Sequence, residues 1–279
     1  MPGAMQNTSK SYLLQSKMIG FVPTMGSLHE GHLSLVRRAK QESDITVVSI
    51  FVNPIQFGPS EDFERYPRDI NGDLEKLQKE KADIIFMPET SSMYPEIFLT
   101  HVEVDGISER LCGASRPNHF RGVVTVVTKL LNIVKPTKAY FGQKDFQQSV
   151  IIKQLVKDLN SDTDVIVCPT VREQDGLAMS SRNAYLSEKQ RKAATVIYKC
   201  LTEASDLIKS GIIDGTFVKG FMQERILKEP EVSSVDYAGV YDPETMLDVS
   251  EIKSEILLAV ALKIGDTRLI DNMLVTVVK

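Results

Sequence analysis

Met18-Ile19-Gly20-Phe21-Val22-Pro23-Thr24-Met25-Gly26-Ser27-Leu28-His29-Glu30-Gly31-His32-Leu33 is the stretch that decides how this chain folds. The apolar run Met18 to Val22 has the length and character of a buried strand. Beyond His32, the residues Leu33, Leu35, Val36 and Ala39 recur among charged neighbours at helical spacing, so a helix with one buried face begins here. His29 and His32, three residues apart at the start of that helix, project to one side. Unpaired backbone N–H groups and the helix dipole at that end favour an anion. Gly31 removes the side chain that would block a flat ring or a phosphate from approaching the backbone.

The same alternation continues outward. Strands are expected at 18–23, 45–53, 83–87, 138–141 and 164–168, and helices at 30–42, 69–81, 122–134 and 145–158. Short apolar runs alternating with amphipathic ones predict βα units in an α/β fold: a Rossmann-like parallel sheet with helices on both faces. In such sheets ligands bind outside the carboxyl ends of the strands, which is where Pro23 to His32, Asn53 to Phe57 and Phe141 to Asp145 fall. After about Glu173 the texture changes. Ser187-Glu188-Lys189-Gln190 is a capping box that opens a helix running towards Gly211, and a second helix covers 215–228. Strands are expected at Val235 to Tyr241, Glu255 to Ile264 and Thr267 to Asn272. This predicts a Rossmann-like domain over 1–172 and a smaller C-terminal α+β domain over 173–279.

Composition narrows the class. With 42% hydrophobic and 25% charged residues, the chain is an ordinary soluble globular protein. Its longest apolar runs, Ile45 to Phe51 and Ile256 to Leu262, are far too short to span a membrane. Met1 to Lys17 lacks the apolar core of a secretion signal. Cys112, Cys168 and Cys200 are odd in number and widely spaced, which fits free buried thiols in a reducing cytoplasm rather than disulfides or zinc. A net charge of −4 without a Lys/Arg block argues against nucleic acid as a partner.

Four clusters carry the chemistry. The histidines are spaced three apart, so a zinc-protease pair, which needs four, is excluded, and no phosphate-binding Gly-rich loop with its Lys-Ser/Thr exists. Beside the plain reading of a surface or packed imidazole pair, the segment resembles His-x-Gly-His, the signature of nucleotidylyl transferases, in which imidazoles surround an α-phosphate. In Asp175-Gly176-Leu177-Ala178-Met179-Ser180-Ser181-Arg182-Asn183, two hydroxyls and a cationic fork suit phosphate oxygens, although a plain polar loop would also read this way. In Tyr140 to Gln148, Lys144 can reach a phosphate as a point charge, Asp145 can accept from a ribose hydroxyl, and Gln148 can bond a small polar substrate. In Phe51 to Gly58, Gln56 sits among apolar neighbours and suits a carboxylate or hydroxyl in a partly apolar pocket.

Taken together these segments resemble the pantoate–β-alanine ligase family. The match extends through Arg65-Tyr66-Pro67-Arg68, His119-Phe120-Arg121-Gly122-Val123, Val171-Arg172-Glu173 and Thr267-Arg268-Leu269-Ile270-Asp271-Asn272, covering nearly the whole chain. Two departures stand out: Gln143 where the family usually has Glu, and a segment before Met18 that is shorter than usual, which leaves an N-terminal helix open. The resemblance implies condensation of (R)-pantoate with β-alanine through a pantoyl adenylate, with ATP consumed and AMP and pyrophosphate released.

Carried over by resemblance, Met25, Gly26, Ser27, Leu28, His29, Glu30, Gly31 and His32 line the ATP site, with His32 as proton donor. Gly142, Gln143, Lys144 and Asp145 hold ribose and phosphate, Val171 the adenine, and Met179, Ser180, Ser181 and Arg182 the triphosphate. His29, His32, Lys144, Ser180, Ser181 and Arg182 form the catalytic set. Gln56 and Gln148 grip pantoate, Mg²⁺ accompanies the triphosphate with Asp73 as an outer ligand, and the assembly is a homodimer. Competing readings remain an adenylyltransferase acting on a phosphorylated acceptor, an aminoacyl-tRNA synthetase fragment, and a nucleotide sensor without activity. Against the first stands the neutrality of Gln56 and Gln148, against the second the absence of a basic surface, and against the third the full set of phosphate-facing residues.

Overall fold

A five-stranded parallel sheet, in the order β3-β2-β1-β4-β5, organises the first half of the chain. The computed structural model describes residues 1–59 and 61–277. Its elements are α1 Pro2–Leu14, β1 Ile19–Thr24, α2 Glu30–Glu42, β2 Ile45–Ile50, α3 Ile70–Lys79, β3 Ile84–Phe86, α4 Thr90–Met93 and α5 Cys112–Ser115. They continue with α6 His119–Val134, β4 Lys138–Gly142, α7 Phe146–Asp158, β5 Asp164–Cys168, α8 Glu188–Ala193, α9 Val196–Lys209, α10 Gly215–Leu227, β6 Val232–Tyr241, β7 Ile256–Ile264 and β8 Thr267–Val275.

The alternation of strand side chains explains the layering. Val22 and Val48 pack with Leu35, Val36 and Ala39 of α2 and with Leu77 of α3. Phe21 and Val47, one residue out of phase, point to the other face and are equally buried. There α6 and α1 pack against β1 and against each other. Both faces are therefore covered, as a parallel sheet requires. The strand order reverses between β1 and β4, and the turns after these two strands start at Met25 and Gln143.

The chain divides into two units, Met1–Ser108 with Arg116–Gln143 and Gln148–Pro169, and Glu109–Ser115 with Lys144–Gln147 and Thr170–Lys279. The reading from sequence put one break after residue 172. It gave no hint that two short segments of the first half group with the second unit, because grouping of this kind depends on contacts distant in sequence. The second unit is built on an antiparallel sheet, β6-β7-β8. Ile197, Leu201 and Ile208 of α9, Val218, Met222 and Ile226 of α10, and Leu258, Val260 and Leu262 of β7 share its core.

Element positions follow the sequence pattern with a few informative differences. A helix, Pro2–Leu14, does precede β1 despite the short N-terminal segment. The single helix expected from Ser187 onward is two helices, Glu188–Ala193 and Val196–Lys209, with the Thr195 hydroxyl donating to the Lys192 carbonyl at 2.8 Å at the junction. The expected capping box is present, with the Ser187 and Gln190 side chains each accepting the other's backbone N–H. Cys112, Cys168 and Cys200 are buried thiols outside any disulfide. Among the described residues no helix is long and apolar enough to cross a membrane.

Candidate active site

The turn from β1 into α2 is tied down at each residue that matters. Thr24 donates its hydroxyl to the Ser49 carbonyl at 2.7 Å and its backbone carbonyl accepts from Phe51, so the end of β1 is locked to the next strand. Asp73 on α3 accepts from the backbone N–H groups of Ser27 and Leu28, both at 2.7 Å. Lys76, one turn along α3, donates to the Leu28 carbonyl at 2.7 Å. Leu28 itself is buried in the cluster beneath α2.

The two histidines cap the helix reciprocally. His29 is the N-cap residue, and its Nδ1 accepts from the Gly31 N–H at 3.2 Å. His32 Nδ1 accepts from the His29 N–H at 3.3 Å. This is a capping box made of imidazoles, with ring centroids 4.0 Å apart. Each Nδ1 acts as an acceptor, so the hydrogen-bond pattern assigns the proton of each neutral ring to Nε2. Protonating Nδ1 would set two donors face to face and break the cap. The sequence placed this pair correctly at the helix start, and the structure adds the tautomer that the spacing alone does not reveal.

Gln56 lies in a single helical turn, Pro54–Gln56, and is wired from three sides. Asn53, only 1% exposed, donates to Gln56 Oε1 at 2.9 Å and to the Gly122 carbonyl at 3.1 Å. Tyr94 fixes that amide's orientation by donating to Asn53 Oδ1 at 2.7 Å. Gln56 Nε2 reaches Met25 Sδ at 3.2 Å, which links this turn to the His29–His32 turn. His119 Nδ1 lies 2.9 Å from the Gln56 carbonyl while its Nε2 faces Arg116 at 2.9 Å. Arginine is only a donor, so Nε2 accepts and Nδ1–H donates to the Gln56 carbonyl. Arg116 is in turn paired with Glu61 at 2.5 Å, and that guanidinium holds the Glu61 carboxyl below its ordinary range despite burial. Sequence reasoning marked the Asn53 to Phe57 turn but gave Asn53 no role of its own, and it missed Tyr94 and Arg116.

In the second unit, Val171 and Met179 are joined by a backbone bond, and Arg172 pairs with Ala178, forming a small hairpin that turns through Asp175 and Gly176. Arg191 clamps this hairpin by contacting Asp175 and Glu173, and the Arg191 hydrogen bond depresses the Asp175 carboxyl. Asn183 donates to Glu173 Oε1 at 3.0 Å and to the Ala178 carbonyl at 3.1 Å, closing the loop that contains Ser180 and Ser181. The Ser180 side chain accepts the Arg182 N–H at 3.3 Å and starts the turn Ser181–Tyr185. Arg172 makes a two-point pair with Asp271 of β8, whose side chain is 2% exposed, and its guanidinium lies 4.3 Å over the Tyr198 ring. The next residue, Asn272, donates to the Lys144 carbonyl at 2.9 Å. Thus β8 holds both the Val171–Arg172 segment and the Lys144 backbone. Gln147 is buried and bonds the backbone of Arg110 and Cys112.

The structure brings Met25 to His32, Gln56 and Asp73 together in the first unit, which also contains Gly142, Gln143 and half-buried Gln148. Lys144, Asp145, Val171 and Met179 to Arg182 belong to the second unit. The resemblance implies that Asp73 attends a metal; in the structure each of its carboxylate oxygens accepts a backbone N–H. Among the described residues no group of three or more His, Cys, Asp or Glu side chains is arranged to hold a metal ion.

A doubly wound sheet with an imidazole-capped helix at the strand-order reversal defines a nucleotide-binding α/β protein of the nucleotidylyl-transferase type. Comparison narrows this further. The family model for pantoate-beta-alanine ligase matches residues 2–274, and the chain belongs to that family. It is 58% identical over 277 residues to the pantothenate synthetase of Thermodesulfovibrio yellowstonii, covering 99% of this chain and 98% of the relative. The crystal structure of pantothenate synthetase from Thermus thermophilus superposes with a TM-score of 0.89 at 45% identity, covering 92% of each chain. A Francisella tularensis pantoate-beta-alanine ligase, complexed with beta-gamma ATP and beta-alanine, superposes with a TM-score of 0.80 at 37% identity, covering 98% of this chain and 95% of that one.

Proposed function

We propose that this chain condenses (R)-pantoate with β-alanine in two displacement steps driven by ATP. In the first, a pantoate carboxylate oxygen attacks the α-phosphorus, the bond to the β-phosphate oxygen breaks, and pyrophosphate leaves. In the second, the β-alanine amine attacks the acyl carbon of pantoyl adenylate, AMP departs with the bridging oxygen, and the amine loses a proton to give the amide. No protein nucleophile is needed. The residues have instead to hold anionic reactants together and stabilise charge that develops on phosphate oxygens.

The observation that carries this reading is the imidazole capping box. With each Nδ1 accepting a backbone N–H, the Nε2–H groups of His29 and His32 are donors at a helix N-terminus, suited to phosphate oxygens. In this reading His32 donates an Nε2–H hydrogen bond to the phosphate as charge develops there, in place of the full proton transfer that the resemblance implies, and Lys144, Ser180, Ser181 and Arg182 complete the phosphate contacts. Val171 faces the adenine, Gly142, Gln143 and Asp145 serve ribose and phosphate, and Gln56 and Gln148 orient pantoate. The protein's donor set offers no metal cage among the described residues, so Mg²⁺ fits as part of the MgATP substrate, where it neutralises the triphosphate. A homodimer is the proposed assembly.

Oxygen transfer tests the chemistry directly. With both carboxylate oxygens of pantoate replaced by ¹⁸O, one label should appear in AMP and one in the amide product. Label absent from AMP would mean that pantoate is not adenylated.

A further inference from the structure

The turn that delivers the two histidines passes through left-handed backbone at consecutive residues, Gly26 at φ +82° and Ser27 at φ +51°. Glycine adopts this region freely, but serine does so against a steric penalty. Something must hold the turn in that shape, and the Asp73 carboxylate is the group in place to do so. It is 1% exposed, and its two oxygens take the N–H groups of Ser27 and Leu28, the two peptide units that lead into the His29 cap. Lys76 on the same helix takes the Leu28 carbonyl, so α3 grips one peptide segment by donor and acceptor together. The grip leaves no slack. A Cβ at Gly26 would lie 3.0 Å from Asp73 Oδ2 and 3.0 Å from the Ile50 side chain.

We propose that Asp73 is a positioning residue for adenylate formation: by holding the Ser27 and Leu28 amides it fixes the capped geometry of His29 and His32 and aims their Nε2–H groups. The inference rests on the reading that these imidazoles serve the phosphates. Asp73→Asn keeps the shape but turns one oxygen into an NH₂ that faces a backbone N–H. The displaced turn should slow the first half-reaction by ~10- to 100-fold, the scale for sub-ångström to ångström misplacement of a catalytic group. The KM for ATP should change much less, and the Mg²⁺ concentration giving half-maximal rate should stay where it is.

The decisive experiment is a double-mutant cycle on the full chain, with pantoate-dependent pyrophosphate release as one readout. The ¹⁵N shifts of the His32 ring are the second. In the parent, Asp73→Asn should cause the full loss and move the His32 shifts away from an Nε2–H signature. In a His29→Ala/His32→Ala background the same substitution should cost under about threefold, because both groups it positions are gone. Equal losses in both backgrounds would overturn the proposal in favour of a general scaffold role. A raised Mg²⁺ requirement, with the rate restored at high Mg²⁺, would overturn it in favour of metal ligation. Should His32→Ala itself retain the parent rate, the reading of the histidines fails, while the ¹⁵N shifts still report whether Asp73 sets the ring. If Asp73→Asn does not fold, Lys76→Met loosens only the Leu28 carbonyl and should shift rate and ¹⁵N signals in the same direction by a smaller amount; no change in either would refute the grip.

Discussion

Replacing Gly122 by alanine should strike pantoate use selectively, and the structure supplies the size of the effect. Gly122 lies in the first turns of α6, with backbone against the Pro54–Gln56 turn. An added Cβ would sit 2.3 Å from the Ile55 carbonyl oxygen and 2.6 Å from Gln56 Cα, and both atoms are main chain that cannot swing aside. Merely relieving the overlap requires a shift of about 0.7 Å of the turn that carries Gln56, and ordinary van der Waals contact about 1.1 Å. Overpacking of this kind costs about 1–3 kcal/mol, against which alanine's better helix propensity returns up to ~1 kcal/mol. The variant should therefore fold with a modest loss of stability. Because the shift is applied to the Gln56 backbone, the Asn53 and His119 bonds to that residue should be misaligned together. A displacement approaching an ångström predicts a ~10²-fold loss in kcat/KM for pantoate. ATP affinity should change less, since Asp73 and Lys76 also hold the His29–His32 turn, to which Gln56 is linked through Met25. Steady-state kinetics with pantoate and ATP varied in turn, alongside urea unfolding, give the answer. A folded variant with parental pantoate kinetics would refute the claim that this close approach sets Gln56, and equal losses for both substrates would refute its selectivity.

Other consequences are measured as readily. His32→Ala or Lys144→Ala should lower turnover by ~10²-fold or more, the scale for losing one preorganised donor, as read by single-turnover pyrophosphate release. Asp271→Ala strands the partly buried Arg172 guanidinium, so urea unfolding should show a loss of about 3–5 kcal/mol, a good part of it recovered when Arg172→Met is added. The Asp175 carboxyl is held below its ordinary 3.8 chiefly by the Arg191 hydrogen bond. A depressed native pKa gives stability that is present above 3.8 and disappears as pH falls through the native value. The stability gap between the parent and Arg191→Gln should therefore exist at neutral pH and close in acid; a gap independent of pH would contradict this assignment.

Much of the first unit was legible because its signals are local. The apolar run of β1, the spacing of Leu35, Val36 and Ala39, and the two histidines all report on a single βα unit, and each lies where the pattern puts it. The capping box at Ser187 is equally local and equally readable. The remainder depends on contacts without a local signature. Asp73 lies more than forty residues from the amides it holds, and the sequence marked it only through resemblance, as an outer metal ligand. Asn53 and Tyr94 orient Gln56 through a chain of bonds that only the folded arrangement creates. Arg172 and Asp271 were visible as matching segments, but nothing in the sequence reveals that they form one buried pair. The break between α8 and α9 leaves the apolar face in register, so helical periodicity does not reveal it.

The catalytic predictions rest on nucleotide activation coming first and on the capped imidazoles serving it. Label exchange between pyrophosphate and ATP, measured without β-alanine, tests that assumption most directly. Exchange should appear only when pantoate is present and should fall by ~10²-fold or more in His32→Ala. Exchange that needs β-alanine, or that proceeds at the parental rate without the His32 ring, would contradict it.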